Sequence, residues 1–87
     1  MKIKSGFVAR EIAGEYVVVA LGAASKIFNG IIKLNDTAKL IWDKLSLGWE
    51  KDAIVDAVLQ EYETDRATVE ADFDRFVDTL KGANILE

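Results

Sequence analysis

The sequence predicts an α+β domain: a three-stranded antiparallel sheet followed by three α-helices that cover one of its faces. Three observations predict it. Apolar residues form β-branched or alternating runs before residue 35 and recur at helical spacing after it. All strand signals precede all helix signals, the order of an α+β domain. The 87 residues leave room for one domain spanning 1–87.

Phe7 to Ile12 mixes apolar and charged positions, and Tyr16 to Leu21 is β-branched. Ala13-Gly14-Glu15 joins the two, so they read as a hairpin. Leu21 to Lys26 reads as a looser connection. Ile27 to Leu34 is again β-rich but holds Asn29-Gly30, a dipeptide that tolerates positive φ at both residues and favours a type I′ turn. Ile27-Phe28 and Ile31 to Leu34 are therefore either arms of a tight hairpin or parts of one kinked strand. A two-residue arm is weak, which favours a third strand centred on Ile31 to Leu34.

From Asn35 the period becomes helical, with Asn35 or Asp36 as N-cap and Ala38, Ile41, Trp42 and Leu45 on one stripe. Gly48 ends that helix or the turn after it. A second helix spans Lys51 to Tyr62, with Val55, Val58, Leu59 and Tyr62 in line and Ile54 beside them. A third follows Thr64 or Asp65 and carries Val69, Phe73, Phe76, Val77 and Leu80 on the clearest apolar face of the chain. Gly82 is expected to stop it, and Ile85-Leu86 to fold back onto the core.

Composition narrows the function. The chain has no Cys and no His, which removes disulfides, thiolate nucleophiles, Cys-based metal sites and the Ser-His-Asp triad. Ser5, Ser25 and Ser46 have no base in a recognisable motif. A chain of this size buries roughly 60% of its unfolded surface, enough for one modest core and too little for a roofed active site besides. No catalytic residue, cofactor or metal ligand is therefore expected. No apolar stretch suits a signal peptide or a membrane span, so a cytoplasmic protein without a membrane partner is expected.

The net charge of −4 is unevenly placed. Residues 1–34 carry Lys2, Lys4, Arg10, Lys26 and Lys33 against Glu11 and Glu15, a net of +3, which leaves −7 for the remainder. An acidic partner would be drawn to the first half. The third helix carries Glu70, Asp72, Asp74 and Asp78 against Arg66, Arg75 and Lys81, which disfavours entry into a DNA groove. Glu70, Asp74 and Asp78 with Lys81 read as a solvated face.

Leu34-Asn35-Asp36-Thr37-Ala38, followed by Ile41-Trp42 and Leu45, resembles the signature of the PqqD family, small domains also called RiPP recognition elements. The resemblance extends through Gly14 to Val19, Asn29-Gly30, the Ile54-Val55 pair, Tyr62, Asp72-Phe73, Phe76 and Leu80, and so covers nearly the whole chain. The chain departs from that pattern at Trp49-Glu50.

The resemblance implies a winged-helix-like domain that performs no chemistry. It would bind the leader of a ribosomally made precursor peptide and present it to a modifying enzyme of radical SAM type, with coenzyme PQQ biosynthesis as one pathway. The leader would add as a strand beside Ile31, Ile32, Lys33 and Leu34, with Val69, Asp72, Phe73 and Phe76 as the far wall. Lys33 would pair with an acidic leader residue, and Ile32→Pro would remove a donor from the docking edge. An open edge also allows self-pairing into a homodimer.

Each residue has a second reading. Ile31, Leu34, Phe73 and Phe76 suit a core, Asn35 a cap, Trp42 a core and Trp49 either a partner contact or a hydrophobic lid. The competing functions are a winged-helix DNA-binding regulator and a protein-docking module that binds no leader.

Overall fold

The computed structural model describes residues 1–26 and 30–87. It contains strands β1 (Phe7–Ile12), β2 (Glu15–Ala20) and β3 (Ile32–Leu34), then helices α1 (Asp36–Ser46), α2 (Lys51–Glu61) and α3 (Arg66–Gly82). The sheet is antiparallel in the order β1-β2-β3, so the α+β expectation of three strands followed by three helices holds. The choice between hairpin turn and kink at Asn29-Gly30 lies outside the described residues, since Asn29 is not among them.

Glu15 already belongs to β2, so the β1–β2 loop is the two residues Ala13 and Gly14 and not three. Both have positive φ, 53° and 82°, as a type I′ turn requires. Glycine takes that conformation freely. Alanine there costs about 1–2 kcal/mol, which the register of six strand pairs offsets.

This two-residue turn sets the phase of the whole sheet. The residues flanking it, Ile12 and Glu15, form a hydrogen-bonded pair, and alternation makes Val17 and Val19 bond toward β1. Tyr16 and Val18 therefore bond toward β3, where their register partners are Leu34 and Ile32. The N–H and C=O groups of Ile31 and Lys33 are left pointing away from β2, toward the open edge. Ile32 is thus not the place to remove an edge donor, because its N–H serves the β2–β3 ladder.

Side chains alternate between the faces. Phe7, Ala9, Tyr16, Val18, Ala20, Ile32 and Leu34 pack toward the helices. There they meet Ile41, Trp42 and Leu45 of α1, Ile54, Val55 and Val58 of α2, and Val69, Phe73, Val77 and Leu80 of α3 in one cluster. No polar or charged side chain is buried among the described residues. The C-terminal segment closes the core as expected: Ile85 and Leu86 are buried, and Leu86 bridges to Ile3. The Lys4 N–H donates to the Ile85 carbonyl at 2.8 Å, and the Glu87 N–H donates to the Lys2 carbonyl at 2.8 Å.

Three details differ from the sequence reading. Residues Gly22–Lys26 form a 3₁₀ turn where a looser connection was expected. Tyr62 caps α2 and is exposed, because Ile54 and not Tyr62 completes the buried stripe. Gly82 is the last residue of α3, as expected, but the left-handed residue after the helix is Asn84, with φ of 61°. Asparagine is among the residues that tolerate that region.

Candidate functional site

β3 runs into Asn35, which has extended backbone and ends the strand by capping the helix. Its Oδ1 accepts the Ala38 N–H at 2.8 Å, satisfying one of the helix's unpaired donors. The cap places the first turn of α1 against the middle of α3. Between them lies a cavity of about 260 Å³ lined by Asn35, Thr37, Ala38 and Ile41 with Asp72, Arg75 and Phe76. Its lining is mixed: Ala38 and Phe76 give it apolar surface, Asn35 and Thr37 polar surface, and the Asp72–Arg75 ion pair, one helical turn long, forms a charged rim.

A second hollow of about 340 Å³ opens at the same end of β3, on the hairpin side. It is lined by Gly14, Glu15, Tyr16, Lys33, Leu34, Asn35 and Asp36. Lys33 Nζ lies 3.5 Å from the Glu15 carboxylate across the sheet, and both side chains are largely exposed. An exposed pair of this kind contributes about 0–1 kcal/mol, so a partner can displace it. Tyr16 is held in place by the Lys39 ammonium 4.9 Å above its ring, while the same ammonium bonds to Asp43 at 2.7 Å.

The eight candidate residues separate by exposure. Ile31 is 64% exposed, Lys33 is exposed, and Ile32, Asp72 and Phe76 are partly buried. Leu34, Val69 and Phe73 are 6%, 2% and 1% exposed and belong to the core, as the second reading had it for Leu34 and Phe73 but not for Val69; Ile31, given the same core reading, is exposed. The three buried residues can support a wall without being its surface. The cavity between α1 and α3 brings together Asp72 and Phe76 but is not lined by Val69 or Phe73.

Sequence reasoning missed Arg75, Thr37 and Ala38 as lining residues. Arg75 was legible in principle, since it lies three residues after Asp72 and on the same side of the helix. Trp42 is buried in the core, and Trp49 is 38% exposed beneath the Lys44 ammonium, 4.6 Å from its ring centre.

Two ionisable groups with displaced pKa values lie away from these hollows. Asp65 caps α3, and the Thr68 N–H donated to its carboxylate holds its pKa below the ordinary value. The hydrogen bond from Lys51 to Asp74, which ties α2 to α3, raises the lysine's pKa. Among the described residues no three His, Cys, Asp or Glu side chains converge as a metal site would require. No helix among them is long and apolar enough to cross a membrane.

The fold and this open edge can be compared with known proteins. No curated protein matches the chain. A solved structure, TbiB1 in complex with the TbiA(beta) leader peptide, superimposes with a TM-score of 0.80 and 33% sequence identity. The match covers 100% of this chain and 95% of that one. Residues 10–86 match the family described as coenzyme PQQ synthesis protein D (PqqD). With the match running from β1 to the C-terminal segment, the chain belongs to the PqqD family.

Proposed function

We propose that the chain is a leader-recognition domain. It binds the leader of a ribosomally synthesised precursor peptide as a fourth strand along the open edge of β3 and presents it to a modifying enzyme. The observation that carries this reading is the 33% identity, over the whole chain, to a protein solved with a leader peptide bound.

The geometry supports the location. The outward N–H and C=O groups of Ile31 and Lys33 give a docked strand its main-chain partners. Its residues on the helix side would lie over Ile32 and reach toward Phe76 and the cavity rimmed by Asp72 and Arg75. Those on the other side would lie beside Lys33, which favours an acidic residue there. Leu34, Val69 and Phe73 hold the edge and the wall in place from within the core. The domain occupies residues 1–87, acts in the cytoplasm and leaves the chemistry to an enzyme of radical SAM type. Self-pairing at the open edge gives a homodimer that leader binding would compete with.

The test is an amide NMR titration of the labelled protein with the leader segment of a candidate precursor peptide, and separately with a DNA duplex. Shifts confined to Ile31–Leu34, the start of α1 and the Asp72–Phe76 stretch are expected with the leader alone. Shifts with DNA and none with the leader would replace this reading with the nucleic-acid one.

A further inference from the structure

The face of the sheet turned away from the helices is covered by no described element. Val8, Arg10, Ile12, Glu15, Val17, Val19 and Lys33 alternate onto it, and none belongs to the cluster between sheet and helices or packs against it. The centre of this face is apolar. Val17 is only 5% exposed, although it lies outside the core cluster. Its register partners are Arg10 on one side and Lys33 on the other, whose long aliphatic stems are placed to shield it while their charges stay in water. Val8 and Val19 form the next row, and Ile12, 52% exposed, lies beyond.

The charges on this face are asymmetric. Lys33 is paired with Glu15, but Arg10 has no ion pair among the described residues. The two cations lie two strand spacings apart, roughly 10 Å, on either side of an apolar row. The acidic residues of the chain, by contrast, are concentrated in the helical half.

We infer that this outer sheet face is where the modifying enzyme docks, through an apolar patch ringed by carboxylates, and that the leader strand completes the face. Charge complementarity selects the partner's chemistry: carboxylates suit Arg10, the cation of this face that Glu15 does not pair, and an apolar centre suits the accessible Val8, Val19 and Ile12. Position selects the partner's identity. The face is continuous with the β3 edge, and a strand added there places every second side chain on the outer face in line with Lys33. An enzyme seated on it contacts the domain and the leader together. This inference rests on the leader-binding reading for its second part only.

The experiment is calorimetric titration of the modifying enzyme that acts on a candidate precursor peptide into the protein, with and without that precursor's leader. The wild type is compared with Arg10→Glu, Arg10→Gln, Ile12→Glu and the helix-face control Asp78→Lys, each checked for folding by circular dichroism. Arg10 and Ile12 lie on the strand farthest from β3, so leader affinity should stay within twofold in all of them. Enzyme affinity should fall at least tenfold in Arg10→Glu and Ile12→Glu, less in Arg10→Gln and not at all in Asp78→Lys. It should also be higher for the leader complex than for the free protein.

Unchanged enzyme affinity in both Arg10→Glu and Ile12→Glu would overturn the docking face, as would a loss confined to Asp78→Lys. Equal enzyme affinity with and without bound leader would overturn the claim that the leader completes it. If the wild type fails to bind the leader at all, the leader reading falls, while the enzyme titrations still decide the face.

Discussion

The sheet has two edge strands, β1 and β3, and they differ in what stands beside them. β1 offers the longer one, six residues from Phe7 to Ile12, whereas β3 offers three. Along β1 the phase set by the Ala13-Gly14 turn points the N–H groups of Ala9 and Glu11 outward, just as it does those of Ile31 and Lys33 along β3. Only β3 ends at a capped helix whose first turn faces α3 across a cavity with mixed polar and apolar lining and a charged rim. Unpaired main-chain groups give a peptide affinity without identity. The difference teaches that an edge becomes a recognition site when a second element supplies a wall beside it.

The largest effect should come from damaging the ladder that holds β3. Ile32→Pro removes an N–H that serves Val18 and leaves a buried carbonyl unpaired, at a cost of about 1–3 kcal/mol. Chemical denaturation should show that loss directly. A variant as stable as the wild type would mean that the phase assigned to β3 is shifted by one residue.

Next is the same substitution moved one residue along. Lys33→Pro removes an outward N–H and leaves the ladder intact, so stability should change little while leader affinity falls about tenfold, counting one main-chain bond at up to 1.5 kcal/mol. Lys33→Ala separates the contribution of the charge. Glu11→Pro is the matching change on β1 and should leave leader affinity untouched. Equal losses in Lys33→Pro and Glu11→Pro, measured by fluorescence anisotropy of a labelled leader, would erase the distinction between the edges.

This contrast also marks what could be read from the sequence. The helices were legible because their signals are redundant: Asn35 caps α1 while Ile41, Trp42 and Leu45 give its period, and Asp65 caps α3 while Val69, Phe73, Val77 and Leu80 give its own. The third strand was legible from its β-branched run and the Leu34-Asn35 boundary. The phase of that strand was not, because it depends on whether the first hairpin loop holds two residues or three, and Glu15 suits either a strand or a turn. The wall of the candidate site was half legible. The stripe on α3 places Phe73 and Phe76 within one turn of each other, but only the packing of α1 decides that Phe73 is buried and Phe76 lines a cavity.

The two capping residues respond differently to acid. Asn35→Ala should cost about 1 kcal/mol by removing the acceptor for Ala38, at any pH, and should loosen the end of β3 with it. Asp65 does the same work for α3 with a carboxylate whose pKa is depressed by the Thr68 N–H. The sign follows from the depression. Its contribution is complete above the ordinary aspartate range and is lost as pH falls through the lower folded value. Acid titrations of stability should therefore show a smaller drop in Asp65→Ala than in the wild type, and an unaltered drop in Asn35→Ala. An identical acid limb in Asp65→Ala would show that the carboxylate does not act as a titrating cap.

The smallest effect concerns Lys33 alone. Its partner Glu15 lies 3.5 Å away, and both are exposed, so the pair is screened by salt and competes with any acidic leader residue for the same ammonium. Glu15→Gln frees the lysine and should strengthen binding of an acidic leader by at most a few-fold, a difference that shrinks as salt rises toward 0.5 M, where the screening length is about 4 Å. Wild-type affinity should weaken over the same range. If affinity is independent of salt and of Glu15, the apolar side of the groove, from Ile32 to Phe76, selects the leader, and the charge beside β3 serves the enzyme-facing surface of the sheet instead.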